Sequence, residues 1–325
     1  MSTARRSRAV PLAGAALASA CAALLAAGAA PAEAGVRPAP SPGCGSAPPQ
    51  APGESRQHDL TTADGTDRSY RLHLPDDYSP DTPAPLLLAY HGRGGTGAGT
   101  EEFSKLSELP AAVVYPEGLV GTGDGERQAW QGAPYSPPGT DDVAFTHDLL
   151  DELEAGLCID RGRVYATGKS NGAGFTAILA CAASERITAI APVAGAFYPD
   201  GPGCSPTRPV PVIEFHGTAD ATIPYPGDPE RGLPPVADWA AARAEQNGCR
   251  PDPHTARIEP DITAYRWTGC DRGAQVRHIA VDGGGHTWPG ADSYSGGGRT
   301  TQTIEAHEVL WRFVSGYRLP ASDRA

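Results

Sequence analysis

Residues 163–175, RVYATGKSNGAGF, constrain this chain more than any other stretch. Val164, Tyr165 and Thr167 form a β-branched and aromatic run that reads as a strand. It meets a Gly-x-Ser-x-Gly turn, and the small-residue run AGFTAILACAA that follows suits a helix packed closely on a sheet. Between strand and helix such a turn bends the chain sharply at the serine, so its oxygen stands clear of the sheet beside a helix N-terminus. Gly168 and Gly172 are the positions without side chains that let strand and helix approach. With 40 glycines in 325 residues, about one chance match to this pattern in four is expected, so the flanking strand and helix carry the argument. Ser170 is the candidate nucleophile; the competing reading is a Gly/Ser-rich turn in an ordinary α/β fold.

The remaining chain supplies the sheet that such a turn needs. Residues 57–75 alternate around Asp64-Gly65 and read as an opening β-hairpin. Continuous apolar runs at 85–90 (PLLLAY) and 111–115 (AAVVY) suit central parallel strands covered on both faces. Residues 140–157 read as a helix capped by Thr140 or Asp141, with Val143, Leu149, Leu150, Leu153 and Leu157 towards the core. Beyond the elbow, strands are expected at 187–193, 211–216, 262–267 and 276–281, and helices at 236–246 and 301–317. Strands alternating with helices predict an α/β fold with a mostly parallel, doubly wound sheet. About 13 residues separate Gly195 from the next strand, too few for a large helical lid.

Arg5, Arg6 and Arg8 precede an apolar run from Ala9 to Ala30 and then Ala32-Glu33-Ala34. That is the pattern of a secretory signal peptide over residues 1–34; a retained anchor or a lipidated Cys21 are the alternatives. Nothing later is apolar enough to span a bilayer. Residues 35–54 are rich in Pro, Gly, Ala and Ser and read as a tether that Cys44 can pin, ahead of a catalytic domain at 55–320. Removing Arg5, Arg6, Arg8 and Glu33 takes the formal charge from −12 to −14, which argues against nucleic acid or an anionic membrane as partner. Six cysteines then remain, an even number in an exported chain and without the close spacing of a zinc site, so disulfides are expected. Cys249 and Cys270 flank one excursion and are the favoured pair.

A serine hydroxyl needs a histidine base and a carboxylate that holds the base in the right tautomer. On this topology the three follow in the order serine, acid, histidine, on loops at the C-terminal ends of strands. Asp220 is the first carboxylate after the strand VIEFHG, and His286 lies in the glycine-rich loop DGGGHTW after the strand VRHIAV. Asp228 and Asp282 are rival acids, and His216 reads as a strand-end residue. The oxyanion formed on attack needs preorganised donors. The backbone amides of Asn171 and of Arg93 are the candidates, with Gly94 as rival to Arg93. Trp130, Tyr225 and Trp288 sit near expected loop ends as candidate substrate-binding aromatics, as does Tyr135.

In this order, HGRGG, GKSNG, EFHGTADATIPY and GGGHTWPG resemble the secreted ferulic acid esterases and polyhydroxybutyrate-depolymerase-like esterases of the α/β-hydrolase fold. The similarity extends over residues 43–317; Ala173 departs from it where many relatives carry a third glycine. The resemblance implies Ser170 as nucleophile, Asp220 as acid and His286 as base, with no metal and no organic cofactor. It implies a secreted serine carboxylesterase acting on polysaccharide-linked or small-molecule esters, namely feruloyl or acetyl groups of xylan; a monomer is expected. The alternatives are a polyhydroxyalkanoate depolymerase and a catalytically inactive binding protein.

Overall fold

The computed structural model describes residues 37–123, 125–199 and 204–323. The expected signal peptide at 1–34 lies outside the described residues. In chain order the elements are β1 (Ser55–Thr61), β2 (Asp67–His73), β3 (Ala84–Tyr90), α1 (Gly97–Ser104), β4 (Ala112–Pro116), β5 (Leu119–Val120), β6 (Gln128–Ala129) and α2 (Asp142–Gly156). There follow β7 (Ile159–Lys169), α3 (Asn171–Ala182), β8 (Ala189–Val193), β9 (Val212–Gly217), α4 (Val236–Gln246), β10 (His254–Glu259), β11 (Ile262–Trp267), β12 (Val276–Val281) and α5 (Ala306–Val314).

Ten strands form one sheet in the order β1-β2-β4-β3-β7-β8-β9-β12-β11-β10. The centre, from β4 to β12, is parallel, and both margins are antiparallel. Leu86, Leu88 and Tyr90 of β3 face the core built with Phe145, Phe175 and Trp239 of α2, α3 and α4. Leu87 and Ala89 face the other core, with Leu310 and Phe313 of α5. This is why the run reads as continuous rather than alternating: both faces of a central strand are dry, and each fully buried leucine contributes about 2 kcal/mol.

Three expectations change. Residues 39–50 are not a tether but lie on the body: Ser41 donates its amide to Ile159 O at 2.9 Å, Gly43 donates to Glu154 O at 2.8 Å, and Cys44 is bonded to Cys158. The last helix is shorter than expected because residues 297–301 run beside the His286 loop, accepting from the amides of Gly285, His286 and Gly290 at 2.7–2.9 Å. β10 and α1 were not expected. Nearly every residue of β10 is exposed, so it has no apolar alternation, and α1 begins in a glycine-rich run capped by Thr96, whose Oγ1 accepts from Gly99 N at 3.0 Å.

The favoured Cys249–Cys270 pair is bonded, and Cys181 pairs with Cys204. The Cys44–Cys158 bond spans 114 residues of sequence, the largest of the three loops, so it restricts the unfolded chain most. Cys44→Ser is expected to lower stability by about 4 kcal/mol, read as a fall in the denaturant midpoint with no loss of activity below it. An unchanged midpoint would show that this bond adds nothing beyond the packing of residues 39–50.

Candidate active site

β7 ends at Lys169, and Ser170 takes φ 57° and ψ −119°, a conformation that ordinary residues avoid and that the surroundings must impose. Ser170 N donates to Val193 O, and Ser170 O accepts from the amides of Gly174 and Ala196, each at 3.0 Å. A Cβ on Gly168 would lie 2.7 Å from the Gly172 carbonyl carbon, and one on Gly172 would lie 2.3 Å from Tyr90 O. Both glycines are therefore required by the approach of α3 to β3 and β7, as the sequence implied.

The loops after β9 and β12 meet beside this turn, tied by Thr218 N to Val281 O and Ala219 N to Gly284 O, both 2.9 Å. His286 Nδ1 lies 2.8 Å from Asp220 Oδ2, so the proton sits on Nδ1 and Nε2 is left as the basic nitrogen. Asp220 Oδ1 accepts from the amides of Thr222 and Ile223 at 2.8 Å each. Burial would raise the Asp220 carboxyl, but the hydrogen bonds with His216 and His286 outweigh it and hold the group well below the usual range. The rival acids turn elsewhere: Asp282 pairs with Arg257 at 2.8 Å, and Asp228 accepts from Arg231 N at 3.2 Å.

A buried polar chain that the sequence did not reveal stands behind Asp220. His216 Nε2 donates to Ile223 O at 2.9 Å and lies 3.3 Å from Asp220 Oδ2. Its Nδ1 lies 3.1 Å from Glu214 Oε1, Glu214 Oε2 accepts from His278 Nδ1, and the Tyr225 hydroxyl donates to His278 Nε2 at 2.7 Å. Burial opposes a charge on His216, yet its hydrogen bonds with Asp220 and Glu214 raise it to about 9. An imidazolium there braces the carboxylate that orients His286. Alternation along β9 and β12 places Glu214, His216 and His278 on one face; their mutual contact is set only by the parallel register His278↔Glu214.

His91 closes the opposite wall. Burial lowers it to about 4, so it is neutral; Gly118 N donates to its Nε2 at 2.9 Å, which leaves Nδ1 to donate to Gly92 O at 2.8 Å. Trp130 then links this loop to the elbow. Its Nε1 donates to His91 O at 2.9 Å, its amide donates to Asn171 Oδ1 at 2.7 Å, and Asn171 Nδ2 returns a bond to Trp130 O at 3.2 Å. The expectation that Trp130 stacks on substrate is thus corrected. It is fully buried between Tyr90, Phe145 and Phe175 and holds two loops in place. The Gly94 amide is spent on Gln128 O at 2.8 Å, which removes it as rival to Arg93.

Ser170 and His286 both line a cleft of about 550 Å³, with Arg93, Tyr135, Phe103, Thr222 and Tyr294 among its other walls. Trp288 and Tyr225 are corrected too. Trp288 is 1% exposed, packing against Phe103 beneath the His286 loop. The Tyr225 hydroxyl is committed to His278, and the residue is not part of the cleft wall. The aromatic side chains that do line the cleft are Phe103, Tyr135 and Tyr294, the last of them 85% exposed. Lys169, unremarked in the sequence, is buried against the same cleft, and burial pushes it down to about 8 against the opposing pull of Asp220.

His286 is also held below 6.5, first by burial, with the Lys169 charge adding to this and the Asp220 hydrogen bond opposing it. A base must be unprotonated to act, so kcat/KM is expected to rise with pH through an apparent value below 6.5. Lys169→Gln removes a cation that disfavours the imidazolium and should move that midpoint upward. A pH–rate profile of the two proteins on a neutral ester tests this, and a midpoint that stays or falls contradicts it.

No protein-family model matches the chain. Among curated proteins, "Putative esterase NocK" of Nocardia uniformis subsp. tsuyamanensis is 32% identical over 254 residues, covering 70% of this chain and 72% of its own length. Feruloyl esterase B of Piromyces equi is 28% identical over 267 residues, covering 78% of this chain and 46% of its own. The chain belongs to the feruloyl/acetylxylan esterase family of α/β-hydrolases. It spans less than half the length of the Piromyces relative. Among solved structures, the acetyl xylan esterase from Aspergillus awamori superposes with a TM-score of 0.55 at 16% identity, over 80% of this chain and 99% of that one, which shows a shared fold.

Proposed function

We propose that this esterase is a secreted serine hydrolase that removes feruloyl or acetyl groups from xylan through an acyl-enzyme. The observation that supports this most directly is the meeting of Ser170 and His286 in one cleft, with Asp220 Oδ2 2.8 Å behind His286 Nδ1. In this reading Ser170 Oγ attacks the ester carbonyl while His286 Nε2 takes its proton. The amides of Asn171, at the N-terminus of α3, and Arg93 receive the oxyanion. The tetrahedral intermediate collapses as His286 returns the proton to the departing sugar oxygen. Water, deprotonated by the same imidazole, then releases the acid. Asp220 keeps Nδ1 protonated throughout, and His216 keeps Asp220 in place.

The wide cleft, with Tyr135 and Tyr294 on its walls, suits an aromatic acyl group on a polymer chain. Export is supported by the basic and apolar N-terminal sequence and by three disulfides. Turnover of methyl ferulate, acetylated xylan and a polyhydroxybutyrate film by one preparation tests the substrate class. Release of ferulate or acetate with an intact film is expected. A cleared film with both other substrates inert would replace this reading by a polyester depolymerase.

A further inference from the structure

The chain as a whole is acidic, with a formal charge of −12, yet its cleft is not. Arg93, Arg127, Lys169 and Arg231 line it, against Glu102 as the surface carboxylate of the same wall. Arg231 donates to Thr222 O at 2.8 Å and lies 3.6 Å from Asp228, so its charge is shared at the rim. Arg127 is exposed; its aliphatic stem packs over Gly94, where a Cβ would lie 3.1 Å from Arg127 Cδ.

Lys169 differs from these because it is 6% exposed and still faces the cleft. Among the described residues its ammonium makes no hydrogen bond and no ion pair within 4 Å. Asp220, the acid whose charge acts on it, is already engaged by His216 and His286. A Cβ on Gly296 would lie 2.9 Å from Lys169 Nζ, so the absence of a side chain at 296 keeps room for the ammonium. The side chain is thus largely withdrawn from water while its ammonium opens onto the cleft, where a ligand carboxylate would supply the missing charge and acceptor.

We propose that the cleft selects esters that carry a carboxylate near the scissile bond, with Lys169 as the inner anchor and Arg127 and Arg231 as rim contacts. This rests on the ester-hydrolysing reading above and narrows it. The carboxylate has two possible sources: a uronosyl substituent on the sugar side of an acetylated or feruloylated polysaccharide, or a second acid group on the acyl side. Both present the same chemistry to Lys169.

Two matched substrate pairs separate them: acetylated xylo-oligosaccharides with and without a glucuronosyl branch, and 4-nitrophenyl hemiglutarate against 4-nitrophenyl valerate. In at least one pair the charged member should have the higher kcat/KM, by about tenfold, and that preference should shrink with added salt. The pair that shows it identifies the source. Lys169→Gln should bring the ratio close to unity. Arg127→Ala, at an exposed position where folding is not at risk, should lower it by about threefold.

Equal rates within both pairs, or a ratio unchanged in Lys169→Gln, would overturn the inference while leaving the esterase reading in place. If no ester is turned over, that reading falls. Calorimetry with glucuronosyl-xylotriose against plain xylotriose, and with monomethyl glutarate against methyl valerate, then still decides the inference: tighter binding of the charged member in either pair, lost in Lys169→Gln, supports it, and equal binding in both overturns it.

Discussion

Ser170→Ala should lower kcat by about 10⁵-fold while leaving the denaturant midpoint near that of the parent protein. The hydroxyl is the only group deleted, and the backbone that holds it is fixed independently. Ser170 N and O bond to Val193, Gly174 and Ala196, and the elbow is closed by the contacts of Gly168 and Gly172 with β3 and α3. Alanine tolerates the unusual dihedral angles no better and no worse than serine, so the stored backbone strain is unchanged. Single-turnover kinetics separates this from a binding defect, since KM for a small neutral ester should move little. Turnover within tenfold of the parent would mean that another group attacks the ester.

The second large effect is expected at Trp130, far from any direct contact with substrate. Trp130→Ala empties a fully buried site between Tyr90, Phe145 and Phe175 and is expected to cost about 4 kcal/mol. It also removes the indole donor to His91 O, leaving that carbonyl without the bond that ties the HGRGG loop to the elbow. Trp130→Phe isolates the second effect. It keeps most of the buried surface but loses the Nε1 bond, and should reduce kcat by about tenfold with KM little changed, because the proposed oxyanion donors, the amides of Arg93 and Asn171, lose their fixed spacing. A kcat equal to the parent's in a folded Trp130→Phe protein would show that the two loops hold their geometry without this link.

These two sites show where the sequence was legible and where it was not. The elbow is local: strand, two glycines and a helix start lie within 13 residues, so Ser170 and its backbone geometry follow from short-range pattern. Asp220 and His286 are nearly as legible, because each follows a strand whose apolar run marks it as interior. The aromatics near loop ends are a different matter. Trp130, Trp288 and Tyr225 look alike in sequence, but whether an indole or phenol points to solvent or to the interior depends on what folds over it from elsewhere. For Trp288 that is Phe103, and for Tyr225 it is His278.

Lys169 is the same problem in reverse. Nothing in the residues around Lys169 marks it as buried, and the loop carrying Gly296 and His286 comes against it at the cleft only in three dimensions. β10 also escaped, because it is an edge strand with almost no buried face. Likewise residues 39–50 are composed like a linker, and their place on the body is decided by Cys44–Cys158 and by hydrogen bonds to β7 and α2.

The central claim is that the Ser170 oxygen becomes covalently bonded to substrate-derived carbon during turnover. The most direct measurement is mass spectrometry of peptides from enzyme acid-quenched during burst turnover of 4-nitrophenyl acetate, with Ser170→Ala and His286→Ala in parallel. One acetyl group on the peptide that contains Ser170, absent from Ser170→Ala and strongly reduced in His286→Ala, is the predicted result. A burst with the acetyl group on any other peptide, or its persistence in Ser170→Ala, would contradict the account.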